Sequence, residues 1–205
     1  MSSRRSAPPC AAGWQPLVTV SVNLSRAHFK NPRFLDPLSR LKAQYRIPDG
    51  AIEIELTEST FFNERQRELV QASIREMHRR GFLCSLDDFG VGFSSLALLQ
   101  EFDVDAIKLD RQFFNEIANP KGQTIIASFL SLAKKLGIHT VAEGIETQAQ
   151  ADYLLGVDCD MIQGYYFSKP LSIPEFEQWR LTRPPRHNPG GGAEAARGAN
   201  GAASR

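Results

Sequence analysis

Cysteine is scarce in this chain. Its three cysteines, Cys10, Cys84 and Cys159, form no CxxC pair. An odd, widely spaced set excludes a disulfide framework and a cysteine-rich zinc site, and it points to a reducing cytoplasm. An excess of one charge is also missing. Lys plus Arg number 24 and Asp plus Glu 23, for a net charge of +1. Nothing global draws the chain to a nucleic-acid polymer or a membrane surface, so an anionic ligand would need a local device. No apolar run approaches the roughly 18 residues of a membrane span. Arg4 and Arg5 have no apolar stretch behind them, so they do not open a secretory signal. There is no GxGxxG, no GxxxxGK[ST] and no GxSxG, which leaves nucleotide cradles and a nucleophile elbow unsupported. His28, His78 and His139 lack a partner at metal-ligand spacing and read as surface or satisfied histidines; His187 falls near the C-terminus.

What is present suits a globular fold. Apolar residues make up 42% of the 205 and charged residues 23%, enough to bury a core. Two segments depart from this. Residues 1–13 are rich in Ser, Pro and Ala without periodicity, and residues 184–205 are mostly Gly, Ala and Pro with no large apolar side chain. Such a tail cannot offset its ordering entropy and is expected to be disordered. The folded domain is expected over residues 14–183.

Within it, two periods alternate. VTVSVNLS (18–25) reads as a strand. PRFLDPLSRLKAQY reads as a helix interrupted early by Pro37. AIEIELTES (51–59) is a strand with Ile52, Ile54 and Leu56 on one face. RQRELVQASIREMHRRG is a helix with Val70, Ile74 and Met77 in a stripe, closed by Gly81. FLCSLDDFG, VDAIKLD, IHTVAEGIE and CDMIQGYYF read as further strands. SSLALLQEF, QTIIASFLSLAKKLG, TQAQADYLLG and SIPEFEQWRL read as helices. In the second of these, Ile125, Phe129, Leu132 and Leu136 fall in register; in the last, Ser172 and Glu175 are spaced as a capping box. Six strand–helix units predict an α/β fold with a parallel sheet, either an open doubly wound sheet or a (β/α)8 barrel. The count suits the open sheet. The polar residues near the strand ends, Asn23, Glu55, Asp87 with Asp88, Lys108, Glu143 and Gln163, favour a barrel whose mouth would gather them. An eight-stranded barrel would then be short by about two units.

One acid near a strand end is usually a solvated loop residue or a helix cap. Asn23, Glu55, Asp87, Asp88 and Glu143, drawn from four strands, are a different case. Oxygen-rich sets suit hard divalent cations, Mg²⁺ or Mn²⁺. Without a cation these carboxylates would repel, and Lys108 alone cannot balance them. A two-metal site answers this, and such sites serve in-line attack on phosphodiesters. GVGFSS after Asp88 reads equally as a mobile loop at the mouth or a plain connector. Phe61–Phe62 and Phe113–Phe114 read as core or interface.

These residues lie in a recognisable series: VSVNLSRAHF (20–29), IEIELTES (52–59), LDDFGVGFSSL (86–96), VDAIKLDRQFF (104–114), TVAEGIET (140–147) and CDMIQGYYFSKPL (159–171). In order and spacing they resemble the EAL domain, the family of cyclic-di-GMP phosphodiesterases. The resemblance implies a (β/α)8 barrel that opens one phosphodiester of cyclic-di-GMP to give pGpG. Carried over by position, it implies Asn23, Glu55, Asp87, Asp88 and Glu143 as metal ligands and Lys108 as the residue that holds or activates the attacking water. Glu143 is also cast as a general base, Gln163 as a residue orienting water or substrate, and Glu58 as the brace of the DDFGVGFSS loop. It further implies pairing through helices near the mouth and a sensory or cyclase domain upstream.

The Glu-x-Leu motif that names the family has no counterpart upstream of Asn23. The expectation is therefore a truncated barrel, about six of eight units, with weak or lost activity and a tendency to associate through its open seam. Two other readings stand beside it: a non-catalytic cyclic-di-GMP-binding or interaction module on the same fold, and an unrelated metal-dependent hydrolase on an open sheet.

Overall fold

The computed structural model describes residues 18–25, 27–57, 64–90 and 96–182. The expectations placed on segments 1–13 and 184–205, on Glu58, on Phe61–Phe62 and on the GVGFSS loop beyond Gly90 fall outside the described residues.

Six strands form one parallel sheet: β1 (Val20–Asn23), β2 (Ile52–Thr57), β3 (Leu83–Phe89), β4 (Ala106–Leu109), β5 (His139–Ala142) and β6 (Met161–Ile162). Their order in space is their order in the chain. A doubly wound sheet reverses direction at a switch point; here every strand docks beside its predecessor, as in a barrel wall. The helices between them are α1 (Asp36–Gln44), α2 (Glu64–Arg79), α3 (Leu96–Glu101), α4 (Pro120–Leu136) and α5 (Gln148–Gly156), with α6 (Ile173–Thr182) closing the series. The result is a half-barrel of the (β/α)8 type.

The alternation along each strand sorts side chains between its two faces. Ile54 and Leu56 of β2, Cys84 and Leu86 of β3, and Ile107 and Leu109 of β4 are wholly buried in the core. The residues between them, Glu53, Glu55, Ser85 and Lys108, are the polar side chains of the other face, and they too are buried. From α2, Val70, Ile74 and Met77 enter the core as their spacing predicts. Burying such a side chain contributes about 1.5–3 kcal/mol each. Gly81 follows this helix at φ 77°. A Cβ there would run into the Asp49 carboxylate and the Lys42 ammonium, which pair with each other.

Three local expectations need correction. Pro37 does not interrupt a helix; it occupies the first turn of α1, where its missing N–H costs nothing. β6 is only two residues long, because Gly164–Phe167 turns back on the preceding loop through bonds such as Tyr166 N–H to Ile145 O at 3.0 Å. The buried stripe of α4 is Gly122, Ile126, Phe129, Leu130 and Ala133. Ile125 is 54% and Leu136 46% exposed. The helix carries apolar neighbours at 125–126 and 129–130, and docking uses the second of the two overlapping stripes. Its ends are well marked: the Asn119 side chain accepts the Lys121 N–H, and Gly137 closes the helix at φ 76°. Thr147 and Gln150 cap α5 reciprocally.

One device recurs where strands begin. The Asp105 carboxylate, just before β4, accepts the Cys84 N–H at 2.8 Å, and His78 Nε2 lies 2.9 Å from it. The Asp160 carboxylate, just before β6, accepts the Thr140 N–H at 2.8 Å and its hydroxyl at 2.9 Å, with His139 Nδ1 3.8 Å away. In both places an acid satisfies an amide of the preceding strand and meets a histidine. Cys84 and Cys159 are free, buried thiols, and burial pushes both thiols up from their ordinary value. No helix among the described residues is long and apolar enough to cross a membrane.

Candidate active site

The polar residues that the sequence pattern singles out stand at and just beyond the C-terminal ends of the strands. Glu55 is 4% exposed and Lys108 7%. Lys108 Nζ pairs with the Glu55 carboxylate and stands 2.9 Å from Glu143 Oε1. Burial works against the ammonium, yet its hydrogen bonds to Glu55 and Glu143 outweigh that and hold Lys108 above the usual lysine range. Glu143 follows β5, and its N–H donates to Leu109 O at 3.0 Å. Residues from β2, β4 and the end of β5 therefore meet at one ammonium.

Asp87 lies beside this group. Desolvation, together with the charges of Glu143, Asp88 and Glu55, lifts its carboxyl to about 6, against the opposing pull of Lys108. Asp88 is exposed and sits at φ 58°. The register between β3 and β4 shifts between Leu86 and Phe89. This bulge breaks the strict alternation that would otherwise send consecutive residues to opposite faces. Asn23 ends β1 directly opposite Glu55 in the register. Gln163 follows β6 and is exposed; its N–H donates to Ala142 O at 2.7 Å and its carbonyl accepts the Ile145 N–H at 3.1 Å.

The structure thus brings Glu55, Lys108 and Glu143 into contact and sets Asp87 within their field. Asn23, Asp88 and Gln163 stand on neighbouring strand ends. Among the described residues, no group of three or more His, Cys, Asp or Glu side chains is arranged to hold a metal ion; Lys108 occupies the space between two of the acids. The donor set still fits a hard divalent cation. It is all oxygen, and burial together with the neighbouring carboxylates lifts the Asp87 carboxyl to about 6 in spite of Lys108.

A second polar layer lies one step down the strands. Glu53 Oε1 accepts the Ser85 hydroxyl at 2.9 Å and the Ser21 hydroxyl at 3.2 Å. Sequence reasoning passed over these residues. The signal was there: Ser21 and Glu53 each stand two positions before Asn23 and Glu55, and so share their face.

The chain is thus a parallel half-barrel of the (β/α)8 type, with carboxylates, amides and a lysine near its strand ends. The family model of the EAL domain matches residues 8–170, and the chain belongs to that family. It is 34% identical over 166 residues to the probable cyclic di-GMP phosphodiesterase PdeG of Escherichia coli, covering 80% of this chain and 32% of the relative. The crystal structure of the EAL domain of Mycobacterium smegmatis DcpA superposes with a TM-score of 0.74 at 30% identity, over 80% of this chain and 73% of that one. Klebsiella pneumoniae BlrP1, in a manganese and cyclic-di-GMP complex, gives a TM-score of 0.68 at 28% identity, over 74% and 39% of the two chains. The chain spans between about a fifth and a third of the length of the curated relatives it matches.

Proposed function

We propose that this chain binds cyclic-di-GMP at the mouth formed by its strand ends and hydrolyses one phosphodiester to give pGpG. The observation that carries this reading is the meeting of Glu55, Lys108 and Glu143, with Asp87 in their field, on a scaffold of the EAL family. Asn23, Glu55, Asp87, Asp88 and Glu143 would hold divalent cations, Mg²⁺ or Mn²⁺. Bound there, such ions lower the pKa of water and offset phosphate charge. Lys108 holds the attacking water or neutralises the phosphate it faces. Gln163, fixed through its backbone to the loop after Glu143, orients water or substrate. Partners follow from the same reading: a second copy docking through helices near the mouth, and a sensory or cyclase domain elsewhere in the full-length protein.

A specific observation favours a second reading, a cyclic-di-GMP-binding module without turnover. Lys108 already pairs with both Glu55 and Glu143, so a cation must compete with an ammonium for two of the five proposed ligands.

Calorimetric titration with cyclic-di-GMP in the presence of Mn²⁺, followed by chromatography of the products, separates the two. Binding with pGpG formation supports the phosphodiesterase. Binding without product supports the module. No binding in either Mn²⁺ or Mg²⁺ removes both.

A further inference from the structure

Three glycines follow the site residues of β3, β5 and β6 at a distance of one or two positions: Gly90 after Asp88, Gly144 after Glu143 and Gly164 after Gln163. None could carry a side chain without striking a neighbouring loop. A Cβ on Gly90, at φ 101°, would lie 2.9 Å from Phe113 Cδ2. A Cβ on Gly144, at φ 67°, would lie 2.7 Å from Arg111 Cβ. A Cβ on Gly164 would lie 2.1 Å from the Ile145 carbonyl oxygen.

Arg111 and Phe113 belong to one short 3-10 turn, Arg111–Phe114, which follows Lys108 by three residues. The turn is itself anchored. The Asp110 carboxylate accepts the Gln112 N–H at 2.8 Å, and the Asp110 N–H reaches Phe89 O at 3.3 Å. Phe114 is buried, and Phe113 packs edge-on against Phe114 and Phe129. The loops after β3, β4, β5 and β6 therefore touch in succession, each contact made where a glycine leaves room. The turn is wedged between the loop that follows Asp87–Asp88 and the loop that follows Glu143.

We propose that Arg111 and Phe113 are positioning residues, which set the separation of Asp87 and Asp88 from Glu143 on either side of Lys108. The inference rests on the reading of these acids as cation ligands. It goes further by naming residues that touch neither cation nor substrate.

The test uses the full chain and Mn²⁺ as probe, with affinity read by calorimetry and by the electron paramagnetic resonance of free Mn²⁺, and folding by circular dichroism. Gly144→Ala should weaken Mn²⁺ binding by about ten- to a hundred-fold, the range seen when supports of metal ligands are altered. The double variant Gly144→Ala/Arg111→Gly, which removes the opposing Cβ, should recover most of that loss. Backbone strain at a positive φ would not be relieved in this way. Gly90→Ala, which meets Phe113 in the same way, should weaken Mn²⁺ binding from the other side. Should the alanine variants fail to fold, Phe113→Leu shortens the wedge and should weaken Mn²⁺ binding by itself.

If wild type binds Mn²⁺ and the folded variants bind it equally well, the proposal is overturned. It is also overturned if the double variant Gly144→Ala/Arg111→Gly does not recover affinity. If wild type does not bind Mn²⁺, the reading of the acids as ligands is what fails.

Discussion

Lys108 Nζ lies 2.9 Å from Glu143 Oε1 while it also pairs with Glu55. One ammonium thus joins a strand from the first half of the sheet to a loop from the second. Two buried or half-buried carboxylates depend on it.

Lys108→Met should therefore destabilise the chain by about 3 kcal/mol, because it leaves buried charge without its partner. Divalent cations should then restore more stability to the variant than they add to wild type. Thermal melting with and without Mn²⁺ reads both effects; an unchanged melting temperature in metal-free buffer would contradict the prediction.

The pair His139–Asp160 makes stability depend on pH. The Asp160 carboxylate holds His139 above its ordinary 6.5. Burial works against the charge of Asp160, but pairing with His139 and bonds from Thr140 keep it below its ordinary 3.8. The histidine's contribution is complete below pH 6.5 and fades as pH rises through its raised value. The aspartate's is complete above pH 3.8 and fades as pH falls through its lowered value. The effect is small because both groups are partly exposed to screening solvent. Melting curves of wild type and His139→Gln should converge at high pH and separate towards pH 6; parallel curves would refute the assignment.

Asp160→Ala removes an acceptor used by the Thr140 N–H and hydroxyl. Leaving the buried Thr140 groups unsatisfied should cost about 1–3 kcal/mol. Denaturant unfolding measures it, and a loss below a few tenths of a kcal/mol would show that water takes over the role.

The docking face of α4 can be checked by a pair of neighbours. Ile126 is 1% exposed and Ile125 54%. Ile126→Ala should cost about 2–5 kcal/mol and Ile125→Ala about 0.5 or less. Equal losses in denaturant unfolding would mean that the helix is rotated from the orientation described.

That helix also marks how far local pattern can be read. The six strands, their parallel arrangement and the α2 stripe of Val70, Ile74 and Met77 follow from periods of 2 and 3.6. In α4 two stripes overlap, at Ile125–Phe129–Leu132–Leu136 and at Ile126–Phe129–Leu130–Ala133, and only packing against β5 and the 3-10 turn chooses between them. The strand-end acids were legible one by one, and of the set expected at a barrel mouth the structure brings Glu55 and Glu143 together with Asp87 in their field. The grip of Lys108 on Glu55 and Glu143 was not, because it depends on how strands far apart in sequence are brought together. Asp105 and Asp160 escaped notice for another reason: an acid that satisfies a neighbouring strand's amide has no periodic signature. Nothing in the sequence marks Gly90, Gly144 and Gly164 apart from other glycines; the neighbours that a Cβ would meet do.

The unbroken strand order has a consequence for how the molecule comes into being. Each strand finds its neighbour in the segment made just before it, so the entropy of closing very long loops is never incurred. A nascent chain can lay down this wall in the direction of synthesis, one hairpin-sized increment of strand and helix at a time, with each addition templated by the edge already in place.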